Sequence, residues 1–159
     1  IELDPRLLDA WILRARARSR RGDNAGALAD ATQAVTLAPN DARAFVARGR
    51  ARLLAGSVAD ALSDLDRAVE LDASDPDALA ARGEALVAKR DFVHALDDFR
   101  KALEHDERNT TAWLGCARVH ELEGDPQDAA REAGRAVESA RDVREKREAT
   151  VQRDRLQRR

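Results

Sequence analysis

Large apolar residues and alanines recur along the chain with helical spacing, and the whole pattern repeats every 34 residues. Four units, at residues 8–41, 42–75, 76–109 and 110–143, align without a gap. The fourth residue of each unit is large and apolar, the eighth is Ala or Gly, and the twentieth and twenty-seventh are Ala. Small residues at fixed places let two antiparallel helices approach closely, while the large residue fills the space beside them. Each unit therefore predicts a pair of packed helices.

Residues typical of helix ends separate the two helices of each unit. The sixteenth residue is always a strong N-cap type, and the set is Asp23, Ser57, Asp91 and Asp125. The residue before it is glycine in three units, which suits the left-handed end of a helix; the set is Gly22, Gly56, Arg90 and Gly124. Period and caps agree on stacked helix-turn-helix units.

The pattern resembles the tetratricopeptide repeat family, on the residues "AWILRARARSRRGDNAGALADATQAVTLAPND" and their three successors. The resemblance covers residues 1–143. It implies an all-α fold, a right-handed superhelical solenoid of stacked antiparallel helix hairpins. It also implies that the first helices line a concave groove that holds peptides or protein segments.

The two ends of the chain depart from the four complete units. Residues 1–7 resemble the end of a preceding repeat, so we expect the chain to be a fragment of a longer array. Residues 144–159 leave the period and carry seven basic and three acidic residues. They predict a basic C-terminal helix that caps the last unit through Val151 and Leu156. An extension away from the stack and a nucleic-acid arm are the alternatives.

An arginine in each of the first three units precedes, by sixteen residues, an aspartate on the second helix. Because a planar guanidinium suits a carboxylate, we predict a partly buried ion pair between the two helices of each unit. Scattered surface charge is the alternative. The predicted pairs are Arg14 with Asp30, Arg48 with Asp64, and Arg82 with Asp98; Cys116 and Glu132 take these places in the fourth unit.

Helical spacing places one set of residues of each first helix on the inner side of the stack. The fifth residues of the units form an apolar strip, and arginines accompany it toward the N-terminal end. From the first unit to the fourth, the net charges are +1, −1, −2 and −3. The groove is therefore expected to prefer an acidic segment with an apolar anchor, although a solvated helix face also explains the arginines. The candidate groove residues are Ile12, Arg16, Arg20, Arg43, Val46, Arg50, Ala80, Glu84, Leu114 and Arg118.

The chaperone-binding members of the resembling family grip a C-terminal carboxylate with Lys and Asn side chains at fixed groove positions. The matching positions here hold Ile12, Arg16, Ala47, Asp77 and Ala81 when the first unit opens the clamp. When the second unit opens it, they hold Val46, Arg50, Ala81, Thr111 and Gly115. The amide-plus-lysine set is missing, and Asp77 would repel a carboxylate. The sequence therefore argues against a clamp of that kind.

The motifs that usually carry chemistry are missing from the sequence. Cys116 and His120 lie one helical turn apart, but a metal site needs three or four ligands. No phosphate-binding glycine loop or nucleophile–histidine–acid grouping stands out from the repeat. We therefore expect no enzyme activity, no metal, no cofactor and no small-molecule substrate. The net charge of −2 argues against nucleic acid, and no apolar run is long enough to span a membrane.

The sequence thus predicts a non-catalytic scaffold or adaptor that binds another protein. A regulatory or substrate-docking array of a larger enzyme and an oligomerisation module are the alternatives. Weak self-association is expected through the N-terminal end, where Ile1 and Leu3 would lack cover. A single cysteine favours a reducing compartment, and hence a cytoplasmic location.

Overall fold

A computed structural model describes the backbone of residues 5–140 and 143–157, and the side chains of residues 7–140 and 145–157. These residues form nine α-helices and contain no strand, which confirms the all-α repeat fold predicted from the sequence. None of the described helices is both long and apolar enough to cross a membrane. The helices are α1 (Pro5–Arg20), α2 (Asn24–Leu37), α3 (Ala42–Leu54), α4 (Val58–Leu71), α5 (Pro76–Lys89), α6 (Phe92–His105), α7 (Thr110–Glu123), α8 (Pro126–Ser139) and α9 (Val143–Gln157).

The helices divide between two compact units, Ile1–Ala73 and Ser74–Arg159. In the first unit α1 pairs with α2 and α3 pairs with α4, and α3 also packs against both helices of the first pair. In the second unit α5 pairs with α6 and α7 with α8, and α7 packs against both helices of the α5–α6 pair. The last helix, α9, lies along α8 and contacts α7. Each unit therefore holds two stacked hairpins, which we number 1 to 4 along the chain.

Side chains at the turns of three hairpins cap the start of the second helix. Asp23, Asp91 and Asp125 each accept a hydrogen bond from a backbone N–H three residues further on. These bonds satisfy a donor that the first helical turn leaves free. Ser57 holds the same place before α4, but its hydroxyl makes no capping bond. The shorter serine side chain therefore does not play the role predicted for it.

The end of the first helix is left-handed in every hairpin. The φ angle is +68° at Arg90. Glycine adopts this conformation freely, whereas an L side chain is strained in it. The turn of hairpin 3 therefore forms in spite of its residue type. The other three turns use glycines with φ between +81° and +86°: Gly22, Gly56 and Gly124.

The hairpins of the second unit close around one aromatic ring. Phe99 of α6 is fully buried. A Cβ atom at Gly83 of α5 would lie 2.5 Å from its Cε1 atom, and one at Gly115 of α7 would overlap the ring. In the first unit a Cβ at Gly49 would lie 2.7 Å from Cγ of Leu65. Glycines on the first helices thus provide the room that the large buried side chains need.

The C-terminal helix covers hairpin 4 through one of its two predicted apolar residues. Leu156 is buried in a cluster with Ala117, Ala129 and Ala133, and Ala149 is fully buried as well. Val151 points away, with 63% of its surface exposed. The prediction that Val151 contributes to the cover is therefore wrong.

Candidate protein-binding face

The structure brings each predicted arginine of hairpins 1 to 3 onto its aspartate. In hairpin 2, Arg48 donates from Nε to Oδ2 of Asp64 at 2.9 Å and from Nη2 to Oδ1 at 2.7 Å. The aspartate side chain is about as buried as the core, with 4% of its surface exposed. This two-pronged bond ties the two helices of the hairpin together. The same atoms join at 2.7–2.9 Å in the other two pairs, Arg14–Asp30 and Arg82–Asp98.

A second arginine, absent from the prediction, reaches the carboxylate in hairpins 1 and 2. Arg18 Nη1 lies 2.8 Å from Asp30 Oδ1, and Arg52 Nη1 lies 2.8 Å from Asp64 Oδ2. Each of these arginines follows the first by one helical turn, so both guanidinium groups lie on one face of the helix. The Arg-x-x-x-Arg spacing was the available signal. Leu86 occupies this position in hairpin 3.

Aromatic residues and charges together hold these guanidinium groups. The Cζ atom of Arg14 lies 4.5 Å from the centre of the Trp11 ring, and that of Arg48 lies 5.6 Å from the Phe45 ring. Hydrogen bonding from Arg14 holds the pKa of Asp30 below its usual range, although burial opposes the shift. The arginines therefore keep this buried carboxylate ionised.

Hairpin 4 departs from this arrangement. Cys116 stands in the arginine position, and Glu132 stands in the aspartate position. Burial, and then the charge of Glu132, raise the pKa of the Cys116 thiol to about 12. Among the described residues no three His, Cys, Asp or Glu side chains are placed to hold a metal ion.

In the first compact unit, which holds hairpins 1 and 2, the candidate groove residues lie on neighbouring helices. Ile12, Arg16 and Arg20 succeed one another by one turn along α1, and Arg50 lies one turn after Val46 on α3. Ile12 is half-buried against the alanine core between α1 and α3. Val46 is only 7% exposed, so its predicted role as an exposed anchor is wrong. Among the candidate groove residues of hairpins 1 and 2, Ile12 therefore provides the apolar surface for contact with a ligand.

The arginines of this face differ in their partners. Arg16, Arg20 and Arg50 make no ion pair with any residue that the structure describes. Arg43 is already engaged, because its two terminal nitrogens lie 2.9 Å from Asp9 and 2.8 Å from Asp41. Its charge is therefore less available to a ligand than the prediction supposed.

In the second compact unit, three of the four candidate residues line a pocket of about 730 Å³. Glu84 of α5 and Leu114 and Arg118 of α7 form part of its wall. Residues of α9 close one side, where Gln152 and Arg155 both bind Glu121 of α7. Ala80 has no exposed surface, so it cannot contact a ligand as predicted. Arg118 is exposed and, within the described ranges, makes no ion pair.

The sequence profile of the tetratricopeptide repeat matches residues 12–76 and 80–143. The chain belongs to the tetratricopeptide repeat family, as its resemblance implied. No curated protein sequence matches it at a significant level.

Solved structures with this fold confirm the architecture. TTC0263, a thermophilic tetratricopeptide repeat protein of Thermus thermophilus, superposes with a TM-score of 0.79 at 17% identity, over 91% of this chain and 80% of that one. The first repeat domain of Spaghetti (RPAP3), bound to the HSP90 peptide SRMEEVD, gives 0.67 at 22% identity, over 78% and 98%. An O-GlcNAc transferase of Thermobaculum terrenum gives 0.74 at 22% identity, over 89% of this chain but 27% of that one. At these identities the likeness establishes the fold alone.

Proposed function

We propose that the chain is a non-catalytic interaction module, in which the first helices of the hairpins within one compact unit bind a segment of another protein. The segment carries Asp or Glu beside an apolar anchor. One observation carries the proposal. The ninth residue of the 34-residue repeat is an arginine in hairpins 1, 2 and 4, and this arginine has no ionic partner in the described part of the chain. These arginines are Arg16, Arg50 and Arg118.

The unpaired state sets Arg16 and Arg50 apart from most arginines on the same helices, although Arg20 shares it. Five other arginines on α1 and α3 each have a carboxylate within 2.9 Å: Arg14, Arg18, Arg43, Arg48 and Arg52. Aspartates and glutamates are therefore available, but within the described ranges none of them pairs with the arginine at the ninth residue of the repeat. Each unit also places an apolar side chain one turn before the arginine, Ile12 in the first and Leu114 in the second. A free guanidinium beside such an anchor favours a carboxylate on the ligand.

A structural relative supports the acidic character of the ligand. The Spaghetti (RPAP3) domain holds the peptide SRMEEVD, which contains three acidic residues. This chain lacks the Lys and Asn set that grips a C-terminal carboxylate in the chaperone-binding members. We therefore propose that its arginines bind the carboxylates of Asp or Glu side chains within the partner segment, and not a C-terminal carboxylate.

The proposal is tested with matched synthetic peptides. Each peptide has a central Leu that is flanked by Asp, by its neutral isostere Asn, or by Lys. The wild-type chain is expected to bind the Asp peptides more tightly than the Asn peptides. The double variant Arg16→Glu/Arg50→Glu is expected to prefer the Lys peptides instead.

A charge-matched control separates the face from net charge. Arg108→Glu/Arg147→Glu changes the net charge equally on exposed residues of the second unit. It should keep the preference of the wild type. Equal binding of the Asp and Asn peptides by the wild type, or the same shift in both double variants, would reject the proposal.

A second candidate is a docking array within a larger enzyme. The observation that favours it is the fold similarity to 27% of the Thermobaculum terrenum O-GlcNAc transferase chain. A catalytic domain adjoining these 159 residues would favour this second candidate, because it would make the module part of an enzyme.

The buried single thiol of Cys116 is in keeping with a reducing compartment such as the cytoplasm.

We also propose weak self-association through the face of α1 that bears Leu13. This leucine is 63% exposed. At the position that matches Leu13, hairpin 2 has Ala47, which is buried against hairpin 1. A face of this kind is packed wherever a preceding hairpin covers it, so its exposure on α1 favours contact with a second copy. Ile1 and Leu3, to which the sequence assigned this role, lie outside the described residues.

Sedimentation over a range of concentrations tests this self-association. Leu13→Glu is expected to shift the chain toward monomer. Val93→Glu is the control, because Val93 is 77% exposed on α6 of the other unit. Strict monomer behaviour of the wild type at high concentration would end the idea.

A further inference from the structure

In hairpin 4 a buried carboxylate lacks the donor that its counterparts have. Glu132 retains only 8% of its surface exposed, and its Oε2 atom receives no hydrogen bond from any residue that the structure describes. Among the described residues the nearest cations are Arg135, 3.6 Å from Oε2, and Arg131, 3.9 Å from Oε1. A buried carboxylate oxygen without a hydrogen bond is costly, so this oxygen is a site that a donor would stabilise.

The same place in the structure holds a pocket. Replacing the expected arginine with Cys116 shortens the side chain there, and a pocket of about 410 Å³ opens between α6, α7 and α8. Trp113, Cys116 and Glu132 contribute to its wall. Cys116 and Leu114 lie on opposite sides of α7 and line different pockets. This pocket is therefore separate from the proposed peptide-binding face.

We propose that this pocket binds an arginine side chain of a partner protein. The guanidinium of the partner would hydrogen-bond to Glu132 as the arginines of hairpins 1 to 3 do to their aspartates. The three internal pairs show how this kind of hairpin accommodates such a group. The hairpin 1 arrangement also includes stacking, with Arg14 over Trp11 at 4.5 Å, and Trp113 is the equivalent ring in hairpin 4.

The resident Arg135 is compatible with a second guanidinium. Its Cζ atom lies 4.9 Å from the Trp113 ring, and half of its side chain is exposed, so it can shift outward. In hairpins 1 and 2 one carboxylate binds two arginines at once, as Asp64 does with Arg48 and Arg52. Glu132 can therefore pair with Arg135 and with an incoming arginine together.

The charges around the pocket leave room for one more cation. The carboxylates in the described part of its wall are Glu104, Glu107 and Glu132, and the guanidinium groups are Arg100 and Arg135; His120 and the Cys116 thiol are the other titratable side chains. The carboxylates therefore outnumber the guanidinium groups by one. An arginine fits better than a lysine, because its planar fork can bond to a carboxylate and stack on a ring at the same time.

The experiment uses a capped arginine as the probe, N-acetyl-arginine methylamide. Its neutral isostere, the citrulline compound, is the matched control. The reporter is the indole N–H signal of Trp113 in a ¹⁵N–¹H spectrum of the whole chain, since this N–H donates to the Glu107 carbonyl at 3.0 Å beside the pocket. Trp11 serves as the internal reference, because Arg14 already covers its ring.

The arginine probe is expected to shift the Trp113 signal saturably and to leave Trp11 unchanged, and the citrulline probe should shift neither. Glu132→Gln should weaken binding about tenfold or more, the loss expected for one charge-assisted hydrogen bond. Cys116→Arg should fill the pocket, abolish the response and raise the melting temperature. A missing or unsaturable response to arginine, an equal response to citrulline, or full binding by Glu132→Gln would overturn the proposal.

Discussion

Arg48 on the first helix of hairpin 2 donates two hydrogen bonds to Asp64 on the second helix, at 2.9 and 2.7 Å. Only 18% of the arginine side chain and 4% of the aspartate side chain are exposed. The pair is therefore an internal link, whose net contribution depends on how far hydrogen bonding offsets desolvation.

Removing the arginine from this link should be costly. Arg48→Ala leaves Asp64 buried with Arg52 as its remaining partner, and we expect a loss on the order of 3 kcal/mol in the free energy of unfolding. Denaturant titration measures the loss. Arg50→Ala, two residues further on and without an ion pair in the described ranges, is the control and should change little. A loss below about 0.5 kcal/mol for Arg48→Ala would class the pair with solvated surface charges.

The contact between Gly115 and Phe99 gives a second test. Because a Cβ atom at Gly115 would overlap the Phe99 ring, Gly115→Ala should destabilise the chain by about 1–3 kcal/mol. Gly134→Ala is the matched control, since a Cβ there would meet nothing within 4 Å beyond the adjoining residues and backbone of α8 itself. The control should gain up to about 1 kcal/mol from the better helix former. Equal effects of the two variants in thermal unfolding would show that the ring does not require the glycine.

The lowered pKa of Asp30 predicts a dependence on acid. A carboxyl group whose pKa is depressed in the folded state contributes stability above its unfolded pKa, near 3.9, and loses it as the pH falls through the folded value. The free energy of unfolding of the wild type should therefore fall as the pH drops below about 4. Asp30→Asn, which cannot titrate, should lack this part of the acid slope. Identical slopes for the two proteins between pH 5 and 2 would contradict the assignment to Asp30.

The hairpin fold could be predicted because its causes are local and repeat along the chain. Alanines, glycines and caps at fixed positions specify close helix pairs, and the link between Arg48 and Asp64 follows from their spacing on two antiparallel helices. Because the repeat occurs four times, the positions whose residue type recurs can be identified by comparing the repeats. The second arginine on Asp30 and on Asp64 was not predicted, because its position does not recur in every repeat and holds Leu86 in hairpin 3.

The details of the binding face were harder to predict because they depend on packing. Helical spacing places Val46 and Ala80 on the inner side, but it does not say how far neighbouring atoms bury them. The same holds for Arg43, whose charge is taken by Asp9 and Asp41. The orphaned oxygen of Glu132 depends on the reach of surrounding side chains, which no sequence pattern encodes.

In the proposed function, unpaired arginines on the first helices recruit an acidic segment. The most direct measurement is the association rate and affinity of an Asp–Leu peptide at low and high salt, for the wild type and for Arg16→Glu/Arg50→Glu. Exposed charges act mainly on the association rate and are screened over roughly 10 Å at 0.1 M salt. We predict that the wild type binds faster and more tightly at low salt, and that the double variant loses both the affinity and the salt dependence. Unchanged affinity with an unchanged salt slope in the double variant would show that the peptide binds elsewhere.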